Sequence, residues 1–256
     1  MLAAVAMWVA TTVMAQSAAP KPGNMAKDAD PGWEAMTVKP SDPNDKFDMM
    51  STRGRHVVIR NKTVEAMLRL AYGVQRSQIV GAPDWTRTEH FDIDGVPDVE
   101  GQPNLKQYQD LVQKMLAERF GMKSHHEQRE MPVFALAVAK DGPKMDPSKG
   151  DPNGLPDNEG MGGNGRQIRK YTNVSMSDLA MMLQFNLDRP VVDQTGVKGR
   201  YDFRMQWTVD EGQATDPDAP PGLFTAIQEQ IGLKLESAKA PVDVLVIDHV
   251  EKPSPN

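Results

Sequence analysis

An α+β fold built from two copies of one unit is predicted for this chain, on three observations. Four short segments recur in one order at separations of 109 to 112 residues: Asn61–Ala71 resembles Asn173–Leu183, Phe91–Ile93 resembles Tyr201–Phe203, Phe120–Lys123 resembles Ile231–Lys234, and Pro132–Leu136 resembles Pro241–Leu245. That period is too long for a solenoid and fits a duplicated unit whose copies pack as one body. Within each copy, strand-like alternation and helix-like spacing succeed one another as β-α-β-α-β-β. Ordinary apolar and charged fractions, 39% and 25% over 256 residues, place the chain among globular proteins large enough to bury a core.

The elements follow in order. Leu2 to Met14 is apolar apart from Thr11 and Thr12 and ends at Val13-Met14-Ala15, so residues 1–15 are expected to be a secretory signal, although no Lys or Arg precedes the apolar run. The run is shorter than the roughly 20 residues a bilayer span needs. Residues 16–32 are small, polar and Pro-containing, and are expected to be a flexible leader. The first unit, with its N-terminal strands, is placed at 33–138. Trp33 to Lys39 alternates as a strand, with Phe47 to Ser51 as its expected partner. His56 to Arg60 is a strand, and Thr63 caps a helix whose Val64, Met67, Leu68 and Ala71 share a face and which Gly73 stops. Phe91 to Val96 is a strand, Asn104 caps a helix with Leu105, Tyr108, Val112, Met115 and Leu116 as its stripe, and Met122 to Gln128 with Pro132 to Val138 reads as a hairpin.

Residues 139–165, rich in Gly, Pro and Asp, are expected to be a linker. The second unit spans 166–250: strand Gln167 to Tyr171, helix Met176 to Leu187, strand Arg200 to Trp207, helix Leu223 to Ile231, then strands Leu233 to Ser237 and Val242 to Val250. Residues 251–256 form a tail. The two helices of each unit are expected on one face of a sheet, with a groove or an uncovered sheet edge where the copies meet.

A net charge of −6, a pI near 5.4 and the lack of any Lys/Arg-rich run argue against nucleic acid and against an anionic membrane surface. Without cysteine there can be no disulfide, thiolate metal site or cysteine nucleophile. Gly160-Met161-Gly162-Gly163-Asn164-Gly165 matches G-x-G-x-x-G, but no strand precedes it and no helix N-terminus follows to hold a pyrophosphate, so no nucleotide site is assigned. Asp151, Asn153 and Asp157 fail the calcium-loop pattern because Pro156 stands where the turn needs glycine. His125 and His126 are neighbours on a strand, so they point to opposite faces and cannot chelate one ion together. His56, His90 and His249 are isolated. No Gly-x-Ser-x-Gly or Ser-x-x-Lys occurs, and the acids are scattered. Neither a catalytic residue nor a cofactor or metal is assigned. Met67, Met115, Met176 and Met182 read as core filling, and Trp85 and Trp207 as core residues that could alternatively stack on a ligand.

Several segments carry a likeness. Val38-Lys39-Pro40-Ser41, Leu70–Val74, Gln78–Trp85, Met115–Phe120, Arg129–Val133, Arg189–Gly196, Gly199–Phe203 and Val246–Pro253 together resemble an exported family of unknown function expanded in soil acidobacteria. In some relatives that domain follows a BlaR-type membrane metallopeptidase module, which this chain lacks together with any His-Glu-x-x-His. The resemblance implies export and no established catalytic residue. Gly81, Pro83, Trp85, Gly199, Arg200, Tyr201 and Asp202 match its motifs, and Trp85, Arg200, Tyr201 and Asp202 are the candidate binding or motif positions. Residues 173–207 are also similar to the small βαβ modules of secretins and TonB-receptor signalling domains, which bind other proteins.

The functional expectation is an exported, periplasmic or extracellular, non-catalytic module that binds a protein partner or an envelope ligand. The alternative is a hydrolase acting on envelope polymer or peptide, if folding pairs two of the scattered carboxylates.

Overall fold

A computed structural model of the chain describes residues 23–53, 55–152, 156–163, 165–209 and 219–253. The expected signal at 1–15, the leader residues 16–22, Asn153, Asn164 and the last three residues of the tail lie outside the described residues. The fold is α+β, as expected. Among the described residues no helix is long and apolar enough to cross a membrane.

Strands β1 (Trp33–Pro40), β2 (Met49–Arg53) and β3 (His56–Thr63) lead into helix α1 (Val64–Tyr72). Thr63 caps that helix by accepting the Ala66 N–H at 3.2 Å, and Gly73, at φ 63°, closes it in the left-handed region that disfavours a Cβ. Val64, Met67, Leu68 and Ala71 are buried on one face, as their spacing predicts. A 3-10 turn at Arg76–Gln78 leads to the short strand β4 (Ile79–Val80) and the one-turn helix α2 (Trp85–Thr88), followed by β5 (His90–Pro97) and α3 (Leu105–Arg119). Asn104 and Gln107 form a capping box at the start of α3, and Leu111, Val112, Met115 and Leu116 bury its inner face.

The chain continues through β6 (Lys123–Val138), β7 (Asp146–Pro147), β8 (Asp157–Gly163), β9 (Arg166–Val174), α4 (Met176–Gln184), β10 (Val191–Asp193), β11 (Tyr201–Thr208), α5 (Leu223–Ile231) and β12 (Leu233–His249). Ser175 caps α4 as Thr63 caps α1.

Three four-stranded sheets result. The outer two run β1-β5-β3-β2 and β7-β11-β9-β8, and the central one runs β10-β6-β12-β4. In the central sheet the long antiparallel pair β6 and β12 joins the halves, β4 of the first half lies parallel to β12, and β10 of the second lies parallel to β6. One core packs α1 and α3 with Phe91, Ile93 and the Leu245 end of β12. Another packs α4 and α5 with Trp207 and the Leu136 end of β6. A smaller valine-rich cluster, Val133, Val242 and Val244 with Ala240, sits between them.

Four expectations are corrected. The expected hairpin of Met122–Gln128 with Pro132–Val138 is one strand, β6, and its counterpart in the second half is likewise continuous in β12. Proline ends a strand only where its missing N–H is needed. The Phe134 N–H points outward to Pro190 O at 2.8 Å, so the alternate position Pro132 also faces the outer side of β6, beyond the three residues that β10 pairs. Met49–Arg53 pairs with β3, while β1 pairs with β5. The expected linker contains β7 and β8, and the glycine-rich run pairs along β9. A Cβ on Gly160 would lie 2.1 Å from Ile168 O, so close strand approach accounts for glycine there. Finally, residues 24–30 are fastened to the first half rather than free. Met25 is buried and bonded to Gln102 O, Gln107 Nε2 donates to Ala26 O and Ala29 O, and Lys114 holds Asp30.

Candidate functional site

The C-terminal carbonyls of a helix have no partner within the helix. In α1 they are met from three directions. Gly73 N and Val74 N bond Arg69 O, Gln109 Nε2 donates to Leu70 O at 2.9 Å, and Gln113 Nε2 to Ala71 O at 2.7 Å. From α4 of the other half, Gln184 Nε2 donates to Gly73 O at 2.5 Å, and Gln75 Nε2 returns a bond to Leu187 O. Gln109 and Gln113 are four residues apart on α3, so one face presents both amides. This arrangement fixes the end of α1 beside α4 and leaves an open groove between the halves.

The groove has a volume of about 780 Å³ and is bounded by the α1 terminus, α3, α4, β10 and the middle of the β6–β12 pair. At its floor His126 Nδ1 meets Asp243 Oδ2 at 2.5 Å, and Gln128 Nε2 reaches Asp243 Oδ1 at 3.3 Å. Gln78 Nε2 fixes the same aspartate's backbone carbonyl at 2.7 Å. The Tyr72 ring lies 6.0 Å from the His126 ring at 51°. Burial raises the Tyr72 hydroxyl above its ordinary pKa, partly offset by a hydrogen bond with Ser124, so the phenol is neutral through the physiological range. Ser177 and Asp193 stand on the opposite wall, where Asp193 Oδ1 accepts the N–H and hydroxyl of Thr195 at 2.9 and 2.7 Å.

The four sequence-derived positions do not meet in this groove. Trp85 packs on Phe120 and edge-on to Phe91, joining the first core. Arg200 donates to Asn173 O, Asp178 Oδ2 and Pro152 O, tying β11 to the N-terminus of α4. Tyr201 donates its hydroxyl to Lys198 O. Asp202 accepts the Asn173 N–H at 2.7 Å, and that bond together with the Ser148 hydroxyl holds its carboxyl below the usual range. Trp207 is buried.

His125 and His126 face opposite ways, as strand geometry requires. His126 belongs to the groove floor. Its neighbour bridges two acids on the other face: His125 Nδ1 lies 2.9 Å from both Asp248 oxygens and Nε2 lies 3.2 Å from Glu127. The carboxylates thus occupy opposite ring nitrogens. Among the described residues no group of three or more His, Asp or Glu is placed to hold a metal.

A second hollow, about 840 Å³, is bordered by Arg69, Phe185, Trp207, Val209 and Phe224. Residues 210–218, next to Val209, lie outside the described residues, and no site is assigned there. The groove-forming glutamines were not singled out from the sequence. Their signal is the pair Gln109 and Gln113 beside the apolar stripe of α3, together with Gln184 at the end of α4.

A family model described as protein of unknown function (DUF3738) matches residues 65–250. No curated protein and no solved structure matches the chain.

Proposed function

The chain belongs to the DUF3738 family of unknown function, whose model takes in both sides of the groove, and from that premise we propose that it is an exported, non-catalytic module that binds a protein partner or envelope ligand there. The observation that carries this reading is the way the groove is held. Amides from both halves fasten its walls to backbone carbonyls, so the surface is organised before a ligand arrives, which lowers the ordering cost of binding. Its volume lies within the range of ligand sites, roughly 300–1,000 Å³. Export rests on the apolar Leu2 to Met14 run and on the resemblance to an exported family of soil acidobacteria.

Two measurements test the reading. Intact mass of the chain recovered from the envelope fraction should place the removed leader's end at or near Ala15; full-length chain in the cytoplasm would end the export claim. A photo-cross-linker at Ser177, in the groove wall, should capture a discrete species from native envelope extract, whereas one at Thr37, exposed on an outer sheet, should not. Equal labelling from both positions overturns the groove.

The hydrolase reading has one observation in its favour, the His126–Asp243 pair. A carboxylate on Nδ1 orients the ring and leaves Nε2 as a base. Turnover of an ester, glycoside or peptide that His126→Gln abolishes without lowering Tm would favour it over the binding module.

A further inference from the structure

We infer that the ligand of this groove is a neutral, hydroxyl-rich molecule with one flat apolar face, a short saccharide; the inference rests on the groove being the binding site. The polar atoms of its walls are biased towards acceptors. Gln109, Gln113 and Gln184 each commit one Nε2 hydrogen to a backbone carbonyl, so each amide keeps two lone pairs on Oε1 against one remaining N–H. Asp193 and Asp243 add carboxylates, each with about four lone-pair sites, of which these bonds use two. On the donor side, Lys106 is held by Asp110, and the remaining amide hydrogens and the Ser177 hydroxyl are outnumbered by these lone pairs.

A ligand filling this space must therefore supply donors. Phosphodiester, sulfate and carboxylate ligands only accept, and any of these anions would meet Asp193 and Asp243 with like charge. Among the described residues no group of three or more His, Asp or Glu is placed to hold a metal ion, and Lys106 on the wall opposes a cationic ligand. Several hydroxyls, spaced along a chain of sugar rings, answer both sets of acceptors. The half-buried Tyr72 ring, tilted beside His126, supplies an aromatic plate for the C–H face of a sugar ring.

The test is NMR titration of the mature chain with neutral oligosaccharides (cello-, chito-, manno- and malto-hexaose), with oligolysine and with a neutral peptide. At least one oligosaccharide should shift the amides of 71–73, 191–193 and 242–243 saturably. Tyr72→Ala should weaken it about tenfold, the scale of one aromatic contact, while Tyr72→Phe retains the plate and the affinity. Asp243→Asn should also weaken it, and His125→Gln, on the far face of the strand, should not. If Tyr72→Ala lowers Tm, the comparison of Tyr72→Phe with Asp243→Asn carries the result. Oligosaccharides that shift nothing while oligolysine or the peptide moves the same amides would overturn the ligand class and leave the groove standing. Silence from all three classes would overturn both.

Discussion

Asn61 and Asn173 hold the same left-handed backbone, at φ 51° and 57°, and each donates its N–H to an aspartate of the neighbouring strand, Asp92 at 3.0 Å and Asp202 at 2.7 Å. They are the two non-glycine residues with positive φ among the described residues. Each side chain also donates Nδ2 to a loop carbonyl, Asp45 O at 2.9 Å and Asp151 O at 2.8 Å. A serine completes each joint. Ser41 donates its hydroxyl to Asp92 and its N–H to His90 O; Ser148 bonds Asp202 and donates its N–H to Arg200 O. Left-handed asparagine is tolerated because its short side chain bonds locally.

The first prediction is that alanine and glycine will behave differently at these positions. Asn61→Ala keeps the strain of positive φ, about 1–2 kcal/mol for a residue with a Cβ, and loses the side-chain bond, about 1 kcal/mol. Asn61→Gly removes the strain and loses only the bond. Urea unfolding should rank wild type above glycine above alanine, with the same ranking at Asn173. A glycine variant less stable than the alanine variant would contradict the account.

This joint also marks how far the sequence could be read. Asn61 and Asn173, Asp92 and Asp202 stand in segments that resemble one another, and Pro40-Ser41 matches Pro147-Ser148 inside a stretch whose composition reads as linker. Helix starts were legible because caps act locally: Thr63 and Asn104 cap their helices and Gly73 stops the first where expected. Strand partners were not, since β2 and β1 were paired by proximity alone. The groove was least legible. Gln184 and Gly73 are 111 residues apart, and nothing in a glutamine's local context states which carbonyl its amide will reach.

The same aspartates make an acid-stability prediction. The Asp202 carboxyl is lowered by the Asn173 N–H and the Ser148 hydroxyl. For Asp92, burial opposes the charge, but the Asn61 N–H, the Ser41 hydroxyl and nearby Arg60 and Lys39 leave it lowered. A folded pKa below the ordinary 3.8 means that the contribution to stability is present above that value and is lost as pH falls through the folded pKa. Asp92→Asn and Asp202→Asn should therefore flatten the loss of stability below about pH 4, measured as Tm against pH. An unchanged slope in the double variant would remove these carboxyls from the account.

Gln113 tests whether the end of α1 depends on side chains borrowed from α3. Gln113→Leu is close in volume but leaves Ala71 O without its donor, and a partly buried unpaired carbonyl costs about 1–3 kcal/mol. Gln→Leu at Gln102, whose amide donates to the Thr52 hydroxyl rather than to a helix-end carbonyl, is the comparison. Denaturant unfolding should show the larger loss at Gln113. Hydrogen exchange should speed in the last turn of α1 before it does elsewhere, and uniform exchange across both halves would argue against a local cap.

His125 carries the last prediction. It is exposed, yet its two ring nitrogens meet Asp248 and Glu127, and the hydrogen bond to Asp248 is the largest cause of a pKa raised above 6.5. Both interactions favour the imidazolium, since a charged ring can donate from both nitrogens at once while a neutral ring cannot. With the folded pKa above the unfolded one, the stabilisation is fully present below about pH 6.5 and is lost as pH rises through the folded value. Glu127 is lowered in turn, chiefly by Arg129 and then by His125, so it stays ionised throughout that window. NMR titration of the ring protons should give a His125 midpoint above 6.5 that Asp248→Asn moves down and that added salt also lowers, because the pair faces water. A midpoint at or below 6.5 in the wild type, or one indifferent to Asp248→Asn, would mean that the strand-crossing pair does not hold the proton.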